Sequence, residues 1–589
     1  MNRMFGSRWN AALGAWVAVS EHCRARGKPA RSATAAVIVA TVAWAGPAQA
    51  VTCGADANGS YLAGWTQTAP NPYVDRCNEV PATTGAPTVL GSSASWYVLV
   101  RSRLDPPNDN VTIGDTNVSY TGANGFSLIG NQYLTHGSIT LGNVTANLSN
   151  SGSGGGINGL GTHSTVPING GNFNLTVNSI YTGGNGGGGV GSYGVLAGSS
   201  VISGESAIAN NGKFSTITLD NATISQTAIG GTTQPVLNNG LRAIQGAYLE
   251  SGNGSSGKIE VKGLLDMTLT GPRIEGIYVS GSAADAGGNE AVSQVVLNNS
   301  TIKMVKSAGT TYDSSAIKIG KARAVGRGNG LVVSNGALKI DMDAGWASGT
   351  GSFLYPYEPY MSPAIKMAGS GSQLLANGPN SSADINAARS ALAIGVMDWR
   401  PVIFPPGMTE ANYSTDSQGI RAEFGNAKLR TQSTTAPLLL VDSGQQDVQM
   451  LFDRGSDLAA GSNGYLVDIV KYRASNTASS VLLTLDHGST MTGLTNKAYA
   501  NSTLAIDLKN GSTWNLAEKS SGAVATSTFD TLTMTNGATL NATKAGAAPA
   551  QFVLAGNVAS TASTLNLADG KAGDVLTING NYVGNNGLL

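Results

Sequence analysis

Short runs of alternating apolar and polar residues recur along the chain, each set off by Gly, Asn or Ser. Such alternation is the period of a half-buried strand. One repeated unit reads as Gly or Asn, a small residue, any residue, then an apolar residue. Late copies start at Gly455, Gly488, Gly511, Gly537 and Ala562 and end on Leu458, Met491, Trp514, Leu540 and Leu565. Earlier copies start at Asn221, Asn299, Asn335, Gly371 and Asn426 and end on Ile224, Ile302, Leu338, Leu374 and Leu429. From Gly488 on the starts lie 23, 26 and 25 residues apart, whereas two upstream spacings are 36. A second unit sets a basic residue between apolar ones. It occurs at Leu241-Arg242-Ala243-Ile244, Ala316-Ile317-Lys318-Ile319, Ala364-Ile365-Lys366-Met367 and Gly419-Ile420-Arg421-Ala422. Alternation turns the basic side chain outward and its neighbours inward.

A period near 25 with two or three short strands per unit has one natural packing. Each unit coils once, and its strands stack in parallel on those of the next coil. Gly and Asn supply the φ > 0 turns at least steric cost. The pattern therefore predicts an all-β chain, a right-handed parallel β-helix over 101–570. Coils of that length give roughly 20 turns at ~4.8 Å each, near 100 Å. The 36-residue spacings read as one unit plus an insertion.

Composition narrows the alternatives. The 589 residues include 79 Gly, and only 12% are charged. Gly-rich, charge-poor sequence makes poor helices. An apolar share of 41% excludes a charged, disordered chain. Net charge is zero overall, but 1–50 hold six basic residues against Glu21, so the remainder is about −5. That dilute acidic surface gives no reason to expect nucleic-acid binding.

The N-terminus reads as an export signal. A basic stretch, 24–31, precedes a 13-residue apolar core, 33–45, too short to span a bilayer. Ala48-Gln49-Ala50 is a small-x-small cleavage site, placing the cut between Ala50 and Val51. Cys53 and Cys77 remain after cleavage and can pair in an oxidising periplasm, closing a 25-residue loop worth roughly 3.5 kcal/mol. A free or metal-bound thiol is the alternative. Residues 51–100 are read as a cap that carries this disulfide.

Both ends carry a family resemblance. Met1-Asn2-Arg3, Phe5, Trp9-Asn10, the stretch 13–21 and Arg26-Gly27-Lys28 resemble, in order and spacing, the extended signal peptide region of large type V secreted proteins of Gram-negative bacteria. Phe5 stands where that family usually has Tyr. Residues 574–589 resemble the start of the C-terminal passenger segment of pertactin-like autotransporters. The resemblance implies a pectin-lyase-like solenoid, Sec export to the periplasm, and a passenger displayed at the cell surface. It also implies an outer-membrane translocator barrel, and residues 1–589 are expected to be a passenger without it, since none of their stretches offers the ~10-residue alternating strands of a barrel. By the same resemblance the role is adhesin-like, toward a host-surface, matrix or glycan ligand.

Candidate chemistry is sparse. Val441-Asp442-Ser443-Gly444 approaches a serine-protease motif but lacks its first Gly. The histidines after 50 are His136, His163 and His487, read as turn and surface residues. The Gly-rich run 183–191 reads as a loop, and no Gly-Lys-Ser/Thr occurs. Asp341 and Asp343 form the best local acid pair, read as solvated loop acids, with a metal-binding or catalytic pair as the alternative. No enzyme activity, cofactor or metal is expected; a polysaccharide-active β-helix enzyme and a truncated passenger without function are the alternatives. Two features suit binding. Lys303, Lys306, Lys318, Lys321, Arg323 and Arg327 against Asp313 form a basic patch for a polyanion such as a sulfated glycan. A Pro-stiffened insertion carries Trp346, Phe353, Tyr355, Tyr357 and Tyr360 as a candidate binding loop.

Overall fold

The computed structural model describes 5–10, 15–20, 79–80, 88–90 and most of 110–588. Within that last span it omits the connections 123–125, 132–137, 151–156, 163–166, 182–190, 198–213, 231–236, 245–255, 281–291, 309–312, 321–329, 348–361, 396–415, 472–476, 518–523, 543–548, 550 and 568–572. The chain divides into two compact units, Met1–Ala50 and Val51–Leu589. In the first, Phe5–Asn10 and Ala15–Ser20 pair antiparallel. The expected cleavage residues Ala50 and Val51 and the cysteines expected to pair, Cys53 and Cys77, lie outside the described residues.

The second unit is a parallel β-helix. Among the described residues its one helical turn is the 3-10 segment Ala344–Trp346. Each coil contributes up to three strands, and each strand pairs in parallel with its counterparts one coil before and after. Leu237–Ile244, Arg273–Ser280 and Ser315–Ile319, for example, belong to one eleven-stranded sheet, here face 3. Face 1 carries strands such as Gly330–Ser334 and Val448–Asp453, and face 2 strands such as Ala337–Met342 and Thr513–Asn515.

Alternation sends every second side chain inward, where it meets the same position of the next coil. On face 2 this builds one column: Val118, Ala146, Leu175, Ile224, Met267, Ile302, Ile340, Ile385, Leu429, Leu458, Met491, Trp514, Leu540 and Leu565. Each of these side chains is at most 3% exposed. A buried aliphatic side chain is worth about 1.5–3 kcal/mol over an exposed one, so the column is a main source of cohesion.

Register corrects several expectations. Eight of the ten motif copies end in this column. Leu338 lies two residues before the column member Ile340, and Leu374 pairs with Val332 and Ala422 on face 1. Arg421, from the second unit, also sits on face 1, whereas Arg242, Lys318 and Lys366 share one outward column of face 3. Fourteen levels run from Val118 to Leu565, at ~4.8 Å each a column of roughly 62 Å. That is shorter than the 20-coil rod. The reason is coil length: the steps from Leu175 to Ile224 and from Ile340 to Ile385 are 49 and 45 residues, while those after Met491 are 23 to 26. The excess lies between strands of different faces, and the stack continues through it in register.

The stack also extends past the expected limits. Glu79–Val80 and Thr88–Leu90, placed by sequence in a separate cap, pair in parallel with Asn110–Ile113 and Thr116–Gly122. Val575–Ile578 and Tyr582–Asn585 continue it at the other end, where Val583 and Leu588 are exposed.

Faces 1 and 2 meet at a tight corner, and the repeat is legible there residue by residue. The residue just before the repeat and the Gly that opens it take φ > 0, as at Asn510 (48°) and Gly511 (76°). Asn tolerates this region better than most residues, and Gly freely. The buried serine that follows serves two coils. Ser456 Oγ donates to the Asp453 carbonyl at 2.7 Å and accepts from the Ala427 amide of the preceding coil at 2.9 Å. Asn side chains bridge coils along the same edge, Asn172 to Asn143 at 2.9 Å and Asn536 to Asn510 at 3.1 Å.

Candidate functional site

The aromatic insertion divides. Trp346 is fully buried and its carbonyl accepts from Arg389 Nε at 2.9 Å, so it is a core residue and not a binding aromatic. The short 3-10 turn, capped by Asp343 Oδ1 on the Gly345 amide at 2.7 Å, carries the ring inward. Phe353, Tyr355, Tyr357 and Tyr360 lie outside the described residues, as do Lys321, Arg323 and Arg327.

The described members of the basic patch do not form one surface. Lys303 is on face 2, in register with Thr268 and Asp341. Lys306 ends the same strand and is half-buried. Lys318 is on face 3, where its Nζ meets Glu275 at 2.7 Å and stands 4.6 Å from the Tyr278 ring centroid. Arg242 approaches the same ring at 5.3 Å, and Lys366 is ion-paired with Asp313. Charges on face 2 alternate along the stack instead: Lys339, Asp384, Lys428 and Asp457 are successive neighbours. Opposite charges directly across strands stabilise register and like charges oppose it. This arrangement disperses a polyanion site and leaves an alternating surface.

The serine and acid candidates are structural. Asp442 and Ser443 are both fully buried, and Ser443 Oγ lies 3.5 Å from its neighbour's carboxylate, so the hydroxyl is not presented to a substrate. Asp341 Oδ1 accepts from Asn386 at 2.9 Å. Met342 between the two acids points into the core. His136 and His163 are outside the described residues.

One cluster stands out at the corner between faces 1 and 2, where the sequence alone reads only His487, as a turn and surface residue. Asp453 ends one strand and Asp486 directly follows its counterpart one coil on, since Phe452 and Leu485 pair in register. His487 follows in the left-handed conformation at φ 45°, a position held by Asn510 and Asn536 in the next two coils. Its Nδ1 lies 2.7 Å from Asp453 Oδ1 and 3.4 Å from Asp486 Oδ1. The carboxylates are fixed from behind. Asp453 Oδ1 accepts the Arg454 amide at 2.8 Å. Asp486 Oδ1 accepts the His487 amide at 2.8 Å and Asn510 Nδ2 at 2.7 Å. A legible signal existed: Asp453-Arg454-Gly455-Ser456 and Asp486-His487-Gly488-Ser489 align, placing two acids and an imidazole at one corner of adjacent coils.

The imidazole's pKa is raised above its ordinary 6.5, first by the hydrogen bond to Asp453, then by the charges of Asp486 and Asp453. A raised value means that the protonated pair's contribution to stability is full below the unfolded pKa and fades as pH rises through the folded one. An NMR titration of His487 should give a midpoint above 6.5, and Asp453→Asn should move it down. A midpoint that ignores Asp453→Asn would contradict this pairing.

Comparison with known proteins bears on the N-terminus. A family model described as Extended Signal Peptide of Type V secretion system matches residues 1–50. No curated protein and no solved structure matches the chain. The first 50 residues thus mark the chain as a type V secretion substrate, exported through Sec to the surface or the medium. The parallel solenoid that follows is consistent with an autotransporter passenger.

Proposed function

We propose that the chain is a surface-displayed, non-catalytic passenger that binds a host-surface, matrix or glycan ligand through insertions carried by the solenoid. The observation that carries this reading is where the extra sequence lies. Coils between Leu175 and Leu429 take 35 to 49 residues per level where 23 to 26 suffice after Met491, and the inner column stays in register throughout. A scaffold that tolerates long connections without breaking its core is suited to presenting them, and binding residues concentrate on such connections. Display requires an outer-membrane translocator, and export proceeds through the periplasm.

The insertion richest in aromatics is the one to test. Deleting 348–361 removes Phe353, Tyr355, Tyr357 and Tyr360 and keeps the buried Trp346. Cells displaying the shortened chain should attach to host cells or matrix at least about tenfold less, since a few aromatic anchors dominate binding. Circular dichroism and thermal unfolding should stay unchanged. Undiminished attachment would reject this insertion as the contact.

A further inference from the structure

We propose that Asp453, Asp486 and His487 form a binding site for a divalent transition-metal ion of the zinc class, clipping two adjacent coils together. One imidazole nitrogen and one oxygen from each carboxylate all lie within 4.8 Å of one another. The donor set is mixed. Imidazole favours zinc, copper or nickel, whereas calcium and magnesium prefer oxygen alone. Three protein donors leave one tetrahedral position for water.

Three features favour a cation here. Two carboxylates one coil apart repel each other, and a positive ion between them relieves that repulsion more fully than a shared proton. Both oxygens are already oriented by backbone amides, and Asn510 holds Asp486 from the following coil, the kind of outer support that tunes metal sites. At the equivalent turn position the next two coils place Asn510 and Asn536 and the preceding coil places Arg454, so of these four only His487 offers a metal ligand. The distances also say what must move. Donors of a tetrahedral zinc site, with bonds of about 2.0–2.2 Å, lie roughly 3.3 Å apart. The 3.4 Å separation from Asp486 fits, while the 2.7 Å separation from Asp453 is a hydrogen bond that must open by about half an ångström. The imidazole is 63% exposed and free to make that shift. Arg454 Nε stands 3.9 Å from the other oxygen of Asp453, so it leaves Oδ1 available.

The test is titration of the purified chain with Zn²⁺ by calorimetry, with Co²⁺ absorption as a report on coordination. One ion should bind per chain. His487→Asn keeps a side chain that this turn already accepts in two other coils, and Asp453→Asn keeps the shape. Each should weaken Zn²⁺ binding by at least about tenfold with the circular dichroism spectrum unchanged. Absence of Zn²⁺ binding to the unmodified chain would overturn the proposal. So would equal binding by His487→Asn, which would place the ion elsewhere.

Discussion

Deleting residues 1–50 is expected to hold the whole chain in the cytoplasm. The family match covers this segment and the composition explains it. The charges of Arg24, Arg26, Lys28 and Arg31 orient an apolar stretch, 33–45, that is long enough to engage the export machinery and too short to stay as an anchor. The effect should be all-or-none. In a Gram-negative host, fractionation and N-terminal sequencing should find the unmodified chain outside the cytoplasm, beginning at Val51. The truncated chain should remain soluble in the cytoplasm or aggregate there. Export of the truncated chain would refute the role assigned to these residues.

The second large effect is expected at Trp514. Its side chain is fully buried, stacked between Met491 and Leu540, with its ring centroid 6.0 Å from that of Phe529 in an edge-on arrangement. Its Nε1 donates to the Gly493 carbonyl at 2.8 Å. Trp514→Ala removes a large core side chain, at a cost of about 3–5 kcal/mol, and leaves that buried carbonyl without its donor, which adds about 1–3 kcal/mol. In a solenoid each coil contacts only its neighbours, so the damage should stay local. Hydrogen exchange should show protection lost across 490–565 and kept across 217–340. Trp514→Phe should restore most of the packing but not the hydrogen bond. Uniform loss along the chain would contradict a stack of coupled but separable coils.

Much of this architecture was legible in the sequence, because burial in a coil depends on alternation, and alternation is local. The corner turns were legible too, since positive φ selects Gly and Asn at positions such as 510 and 511. Register was harder. Leu338 and Leu374 match the repeat as well as Leu429 does, yet one falls in a neighbouring column and the other on another face. Insertions of unequal length shift the spacing, and nothing local says which strand follows them. The number of coils was overestimated for the same reason. Functional residues were harder still. The basic residues between 303 and 327 are close in sequence, but Lys303 and Lys318 occupy different faces. Asp453 and His487 are 34 residues apart and meet only because one coil lies between them. Trp346 shows the converse: an aromatic-rich insertion looks exposed, but its first ring closes the core.

All of this rests on an unbroken, in-register stack. Thr223 and Thr564 occupy the same outward column of face 2, ten levels apart, through Asp266, Thr301, Lys339, Asp384, Lys428, Asp457, Thr490, Thr513 and Thr539. Spin labels on cysteines placed at these two positions, read by pulsed electron resonance, measure the column directly. At ~4.8 Å per level the account predicts a single distance near 48 Å. A distance near 65 Å, as a uniform 25-residue coil would give, or a broad spread of distances, would contradict it.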